Sequence, residues 1–376
     1  MMCLIRLLRS FGARNDKTLK NYKKILFINP FGIGDVLFTT PLLDNIKDTL
    51  PEAKIGYLCN RRAFEALENN PSIDKIFIYE RDEFVNEQKK SFWKWLSKTM
   101  AFINDIKQEK YEIAFDFSLN SQYGLISWLS GIKERVGYDY KGRGKFLNQK
   151  IPLDGYKDKH VVDYYAKLID LKGFNFIKNN LKIYPQADDI NKADEALKES
   201  GAKPGQKIIV VIPGGGASWG KDALYKQWPI NYFLLLCDKI IAKYKAKIII
   251  MGNSAESNLC RQIKDHLKSN VLDLSGSVSL RQMAAICAKS DLVICNDGGP
   301  LHIAVASKAK TVSIFGPVDE KVYGPYPYGN HLVITEKVTC RPCYQNFRFP
   351  GCNYEIQCLK KLTPDKVFAA CQKILG

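Results

Sequence analysis

At 376 residues the chain is longer than one hydrophobic core usually organises, so two domains are expected. Apolar residues at 46% and charged residues at 25% exclude general disorder and fibrous architectures. The 56 Lys and Arg against 39 Asp and Glu leave +17, a field that draws anions. These basic residues are dispersed and no zinc-finger, RNP or helix-turn-helix pattern accompanies them, which argues against nucleic acid and leaves phosphorylated substrates or anionic lipid.

No apolar run reaches the ~18 residues that span a bilayer, and the opening MMCLIRLLRSFG is too short and charge-broken for a secretory signal. A cytoplasmic location is therefore expected. Residues 1–24 form a basic extension with seven Lys or Arg among Leu4, Ile5, Leu7, Leu8 and Phe11, suited to a weak membrane-surface anchor or to a frayed tail. The odd count of 11 cysteines fits mainly reduced thiols.

The first predicted strand is KILFIN (24–29), followed by a Pro/Gly loop and an amphipathic helix. KIGYLC (54–59), KIFIYE (75–80) and YEIAFDFS (111–118) repeat the rhythm with helical stretches between them, which predicts a parallel sheet covered by helices. A polar, Pro-containing segment at 185–206 reads as a linker. Beyond it KIIVVIP (207–213), KIIIMG (247–252), NVLDLSG (270–276), DLVICND (291–297) and KTVSIFG (310–316) predict a second doubly wound domain. LTPDKVFAACQKIL (362–375) closes the chain as a helix, with Thr363 as cap and Pro364 at the first helical position.

Ligands of open α/β sheets bind beyond the carboxyl ends of the strands, so three loops stand out. NPFGIGDVLFTTP (29–41) puts Gly32, Gly34 and Asp35 directly after a strand, where the carboxylate suits either a helix cap or a ligand. PGGGASWGKDALYKQWP (213–229) offers the amides of Gly214, Gly215 and Gly216 and the charge of Lys226 to an anion, without the G-K-[ST] ending of a P-loop. NDGGPLHIAVA (296–306) places Asp297, Gly298, Gly299 and His302 around a helix start that favours a diphosphate.

The order NPFGIGDVLFTTPLLDNI, HVVDYYAKLID, IPGGGASWGKDALYKQWP, NDGGPLHIA and FGPVD resembles the heptosyltransferase family, glycosyltransferase family nine, over nearly the whole chain. The resemblance implies two facing Rossmann-like domains of glycosyltransferase-B architecture. It also implies inverting transfer of heptose from ADP-heptose to a lipopolysaccharide inner-core acceptor, with no cofactor or metal required. Under it Asp35 is the general base; Gly214, Gly215, Gly216 and Lys226 hold the donor phosphates, and Glu256 contacts the ribose. Asp297, Gly298, Gly299 and His302 would hold sugar and phosphate. Family members often carry Thr or Ser after the aspartate, where Gly298 offers no side-chain donor, and the stretch between Gly216 and Lys226 is longer than in the best-known members.

The domains expected are thus 25–184 for the acceptor and 207–358 for the nucleotide sugar, with 359–376 able to cross back to the first domain. An anionic lipid-linked saccharide would lie on 133–159, which holds eight Lys or Arg against four acids, with Tyr138, Lys141, Arg143 and Lys145 as the contacts to test. Cys340, Cys343, Cys352 and Cys358 form C-x2-C-x8-C-x5-C, a pattern open to a structural metal, reduced thiols or disulfides. Rival readings are a same-family transferase with another donor or acceptor, an epimerase of the same form, and a non-catalytic binder of nucleotide sugar or anionic lipid. A dehydrogenase is disfavoured because neither domain shows a complete G-x-G-x-x-G with its acidic partner.

Overall fold

The computed structural model describes residues 20–216, 218–327 and 329–376, so most of the basic extension lies outside the described residues. Two six-stranded sheets form the frame. The first contains β1 (Lys24–Ile28), β2 (Lys54–Cys59), β3 (Lys75–Ile78), β4 (Ile113–Asp116), β5 (Glu134–Tyr140) and β6 (Gln149–Leu153) in the order β3-β2-β1-β4-β5-β6. The second contains β7 (Ile208–Ile212), β8 (Lys247–Ile250), β9 (Val271–Asp273), β10 (Leu292–Asn296), β11 (Thr311–Ile314) and β12 (His331–Ile334) in the order β12-β11-β10-β7-β8-β9. Every pairing is parallel, with Ile28 opposite both Leu58 and Asp116, and Cys295 opposite Ile212.

Helices on both faces explain why the central strands read as unbroken apolar runs rather than alternating ones: Ile25 to Ile28 and Ile209 to Ile212 are all buried. In each half the chain order reverses beside the first strand, between β1 and β4 and again between β7 and β10. A crevice opens at such a reversal, so the loops after these four strands are the natural binding positions.

The segment expected as a linker is mostly ordered structure. Leu181 and Ile183 are buried with the first domain, the chain crosses near Tyr184 to Gln186, and Ala187–Glu199 is a helix against Leu280–Ala288. The closing helix Pro364–Leu375 begins at the expected proline, although the Thr363 side chain makes no cap hydrogen bond. It packs on Ile230–Tyr244 and on β10, β11 and β12, so it stays with the second domain instead of crossing back.

The domains touch through an apolar core continuous across the seam and, among the described residues, through four polar ties. Arg281 joins Asp189 at 2.9 Å and also pairs with Glu68 of the first domain, while the Leu280 amide donates to Glu65 at 2.9 Å. His160 accepts from the Val162 amide through Nδ1, so its Nε2 carries the proton and donates to the Gly324 carbonyl at 3.1 Å. The Tyr140 hydroxyl donates to the Asn346 carbonyl at 3.0 Å.

Candidate functional site

The seam encloses a cleft of about 500 Å³ whose walls come from both domains. On the first domain the loop after β1 turns into the short helix Ile33–Leu37, and Asp35 sits in its first turn. Its Oδ2 accepts from the Gly32 amide at 3.1 Å, so the capping role open in the sequence is filled, and the residue lines the cleft as well. Burial pushes its carboxyl up to about 6, opposed by the Gly32 amide and by the positive charge of Lys226 across the cleft.

The opposite wall is built by the loops after β7 and β10. Asn296, at the end of β10, donates to the carbonyls of Pro213 and Gly214 at 2.7 and 3.1 Å and accepts from the Trp228 amide at 3.1 Å. This buried amide ties the glycine loop to the adjoining strand, and its absence would leave several backbone groups unsatisfied. Trp228 is buried in turn, its indole N–H donating to the Leu362 carbonyl at 2.8 Å.

Lys226 is almost wholly buried, with Nζ 2.8 Å from Asp297 Oδ2 and 4.9 Å from the centre of the Trp219 ring. Both charged groups line the cleft, so the ion pair forms part of its wall. Gly216, Gly298 and Gly299 line it too, whereas Gly214, Gly215 and Glu256 lie outside the lining. Glu256 bridges the amides of Gly216 and Asn253 at 3.1 and 3.0 Å, which engages the Gly216 N–H that the sequence reading reserved for a phosphate. A Cβ on Gly214 would overlap the Glu256 carboxylate, explaining the glycine there by close approach.

His302 lies on the helix Gly299–Ala306, its ring 4.5 Å from that of Phe38 in an edge contact. Burial lowers its pKa to about 3, and His160 and Lys226 push in the same direction, so the ring is neutral. Its Nδ1 is buried without a hydrogen-bond partner among the described residues, although the side chain lines the cleft. Such an orphaned ring nitrogen fits a ligand that supplies the missing partner.

Side-chain-free positions let the walls meet. A Cβ on Gly34 would stand 2.5 Å from His302 Cδ2, and one on Gly299 would stand 3.2 Å from Ile33 Cβ. Gly34→Ala should therefore force the helices Ile33–Leu37 and Gly299–Ala306 apart. We expect a loss of about 1–3 kcal/mol in urea unfolding and a larger proportional loss of turnover, since the walls would no longer register.

Of the acceptor contacts expected from the sequence, Arg143 lines the cleft and lies over the Tyr140 ring. Tyr138 is a core residue, its hydroxyl donating to the Tyr164 carbonyl at 2.7 Å, and cannot meet a ligand at the surface. Tyr140, on the same face of β5 but at its carboxyl end, lines the cleft, and Lys141 and Lys145 stay outside the lining. Reasoning from the sequence missed Arg62, Ser118 and Asn120, which also line the cleft. The last two follow β4 at the reversal point, a position that the strand order identifies once it is known.

The cysteine segment holds no metal-ligand set: among the described residues no group of three or more His, Cys, Asp or Glu is placed for one. Cys343 donates to the Cys340 carbonyl at 2.9 Å, Cys352 accepts from the Ile356 amide at 3.2 Å, and Cys358 is buried. Burial, with the neighbouring thiols, pushes the Cys343 thiol up to about 12, and all four sulfurs are unbridged. The segment instead contributes packing. Phe347 and Tyr344 line the cleft, and Phe347 meets the rings of Tyr140 and Tyr156 at 5.1 and 4.9 Å.

Two Rossmann-like domains facing across a cleft, each presenting its reversal-point loops, define the glycosyltransferase-B architecture. The sequence matches glycosyltransferase family 9 (heptosyltransferase) over residues 99–349, and the chain belongs to that family. It is 27% identical over 362 residues to lipooligosaccharide heptosyltransferase 2 of Campylobacter jejuni, covering 94% of this chain and 98% of that protein. Its fold is similar to that of the glycosyl transferase family 9 from Veillonella parvula, with TM-score 0.77, 20% identity and coverage of 95% and 99% of the two chains. It is also similar to that of E. coli ADP-heptose LPS heptosyltransferase II, with TM-score 0.72, 18% identity and coverage of 94% and 98%. No helix among the described residues is long and apolar enough to cross a membrane.

Proposed function

We propose that this chain transfers heptose from ADP-heptose to a lipid-linked inner-core saccharide with inversion at the anomeric carbon, at the cytoplasmic face of a membrane. The observation that carries the reading is the meeting of Asp35 and Lys226, from different domains, on one cleft close enough for each charge to act on the other. An inverting displacement needs a base on one face of the sugar and a receptor for the leaving group on the other.

In this reading Asp35 takes the proton of the acceptor hydroxyl as its oxygen forms a bond to the anomeric carbon. The bond from that carbon to the diphosphate breaks, and ADP departs with the electron pair. Lys226, the backbone at Gly298 and Gly299 and the start of the helix Gly299–Ala306 meet the charge that develops on the diphosphate. The neutral His302 donates or accepts one hydrogen bond to donor sugar or phosphate through its unpartnered Nδ1, and does not act as a cation. Arg62 and Arg143, at the rim, suit phosphate or carboxylate groups on the acceptor.

The test is incubation with ADP-heptose and a lipid acceptor lacking that heptose, read by mass spectrometry and by the anomeric configuration of the product. One added heptose with inverted configuration is expected; consumption of a UDP- or GDP-sugar in place of ADP-heptose would overturn the donor assignment. A thermal-shift panel gives an independent expectation. At one hundred times its dissociation constant, ADP-heptose should stabilise the native state by about 2.7 kcal/mol, while UDP- and GDP-sugars leave the midpoint nearly unmoved.

A further inference from the structure

The first domain carries a helical hairpin that the cleft does not use. Arg81–Lys90 runs outward from the end of β3, and Phe92–Glu109 returns along it after the single residue Ser91. At the base, Tyr79 just beyond β3 packs on Phe84 and Phe102, with ring centres 4.4 and 5.2 Å away. At the far end of the second helix, Glu109 pairs at 3.3 Å with Lys24 and at 3.1 Å with Lys75, which open β1 and β3. Phe102 is therefore level with the carboxyl edge of the sheet. The ten residues from Phe102 back to Phe92 carry the hairpin about 15 Å beyond that edge, at 1.5 Å per helical residue.

This is the same edge from which Asp35, Ser118 and Asn120 face the cleft. The projecting tip is both apolar and basic. Trp93 is 76% exposed and Phe92 54% exposed, and their ring centres are 5.5 Å apart. Residues 88–104 contain four Lys and no Asp or Glu. Among the described residues only Lys98 of these four is ion-paired, with Glu83 on the outgoing helix at 3.4 Å, leaving Lys89, Lys90 and Lys94 exposed beside the aromatic pair.

Aromatic side chains that expose a large ring beside free ammonium groups match the boundary of an anionic bilayer, where the ring enters the headgroup layer and the lysines meet phosphates. A symmetric contact between two such tips would bring like charges together, which disfavours a second copy as the occupant. We propose that the hairpin tip, formed by Lys89, Lys90, Phe92, Trp93 and Lys94, is a docking foot for an anionic lipid surface. It holds the cleft at a fixed height above the membrane that bears the acceptor. Only this purpose rests on the proposed lipid-linked substrate; binding to lipid is a separate property.

The experiment compares the full chain with F92S/W93S and K89E/K90E by co-sedimentation with vesicles of phosphatidylcholine plus phosphatidylglycerol, and with vesicles of phosphatidylcholine alone. The parent protein should pellet with the mixed vesicles, and each variant should bind them at least ten-fold more weakly. Heptose transfer to a deacylated, water-soluble acceptor should stay within two-fold, since the altered side chains lie outside the cleft and are exposed. Variants that partition like the parent, or a parent that ignores mixed vesicles, would overturn the proposal. So would variants that turn a dimer into a monomer without changing vesicle binding. Failure of transfer by the parent with the soluble acceptor would count against the proposed reaction and leave the vesicle result standing.

Discussion

Asp35→Asn should reduce kcat by about 10²- to 10⁴-fold while changing ADP affinity no more than a few-fold. The amide preserves the oxygen that accepts from the Gly32 N–H, so the start of the helix Ile33–Leu37 survives and the loss reports proton transfer alone. Asp35→Ala removes both roles and should also lower the thermal midpoint. Because burial holds the carboxyl up to about 6, a base at this position would be available only above that pH. With the parent enzyme, kcat/KM should fall ten-fold per pH unit below about 6 and level off above it, and the asparagine variant should lose this limb.

The sign of the stability effect separates a base from a cap. A carboxyl whose pKa is raised on folding stabilises the native state while protonated, and that contribution is lost as pH rises through the folded value. Above pH 6, Asp35→Asn should therefore raise the thermal midpoint, because the variant no longer keeps an ionised group in a poorly solvated place. A lower midpoint at pH 7.5 would mean that the carboxylate is there chiefly for structure.

Lys226→Met should cost about 3–5 kcal/mol in denaturant unfolding, since it strands the buried carboxylate of Asp297. Donor affinity should collapse as well, by more than ten-fold in calorimetric titration with ADP, as the positive charge in this wall is lost. The double variant Lys226→Met/Asp297→Asn should recover most of the stability and none of the affinity. If the double variant binds ADP like the parent, Lys226 serves only to neutralise its neighbour.

How much could be read beforehand follows from the physics of each element. Nine strands were visible because the middle of a doubly covered parallel sheet demands short apolar runs such as KILFI and LVICN. The three missed strands are those whose sequences obey other demands. β5 mixes Glu134, Arg135 and Asp139 into its run, β6 is an edge with two exposed polar residues and a proline, and β12 is a half-buried edge. The helix Ala187–Glu199 passed for a linker because its polar face dominates its composition, and only Ala193, Ala196 and the ion-paired Asp189 are buried.

At the site, residues fixed by backbone position were legible and those fixed by packing across the seam were not. Asp35, Asp297 and His302 line the cleft because each sits within a few residues of a strand end or a glycine turn, and Lys226, which lines it too, was legible from the loop that follows β7. Arg62 is the second residue of the helix Arg61–Leu67 that follows β2, and nothing local distinguishes it from other surface arginines. The misplaced Tyr138 shows the reverse error: charge density identified the segment, but which tyrosine reaches the cleft depends on where an unseen strand ends, and Tyr140 is its last residue. Asn296 stands in the sequence only as part of the run DLVICND, whereas its side chain ties the glycine loop at Pro213 and Gly214 and the backbone at Trp228 to the end of β10.

The contact between the helices Ile33–Leu37 and Gly299–Ala306 leaves little freedom for diversification. At Gly34 against His302 and at Gly155 against Asn346 one added carbon would wedge the halves apart, and at Gly299 it would press on Ile33. New preferences for sugar or acceptor therefore have to arise on the rim, at Arg62, Asn120 and Arg143, where side chains can lengthen, shorten or change sign without disturbing how the lobes mate.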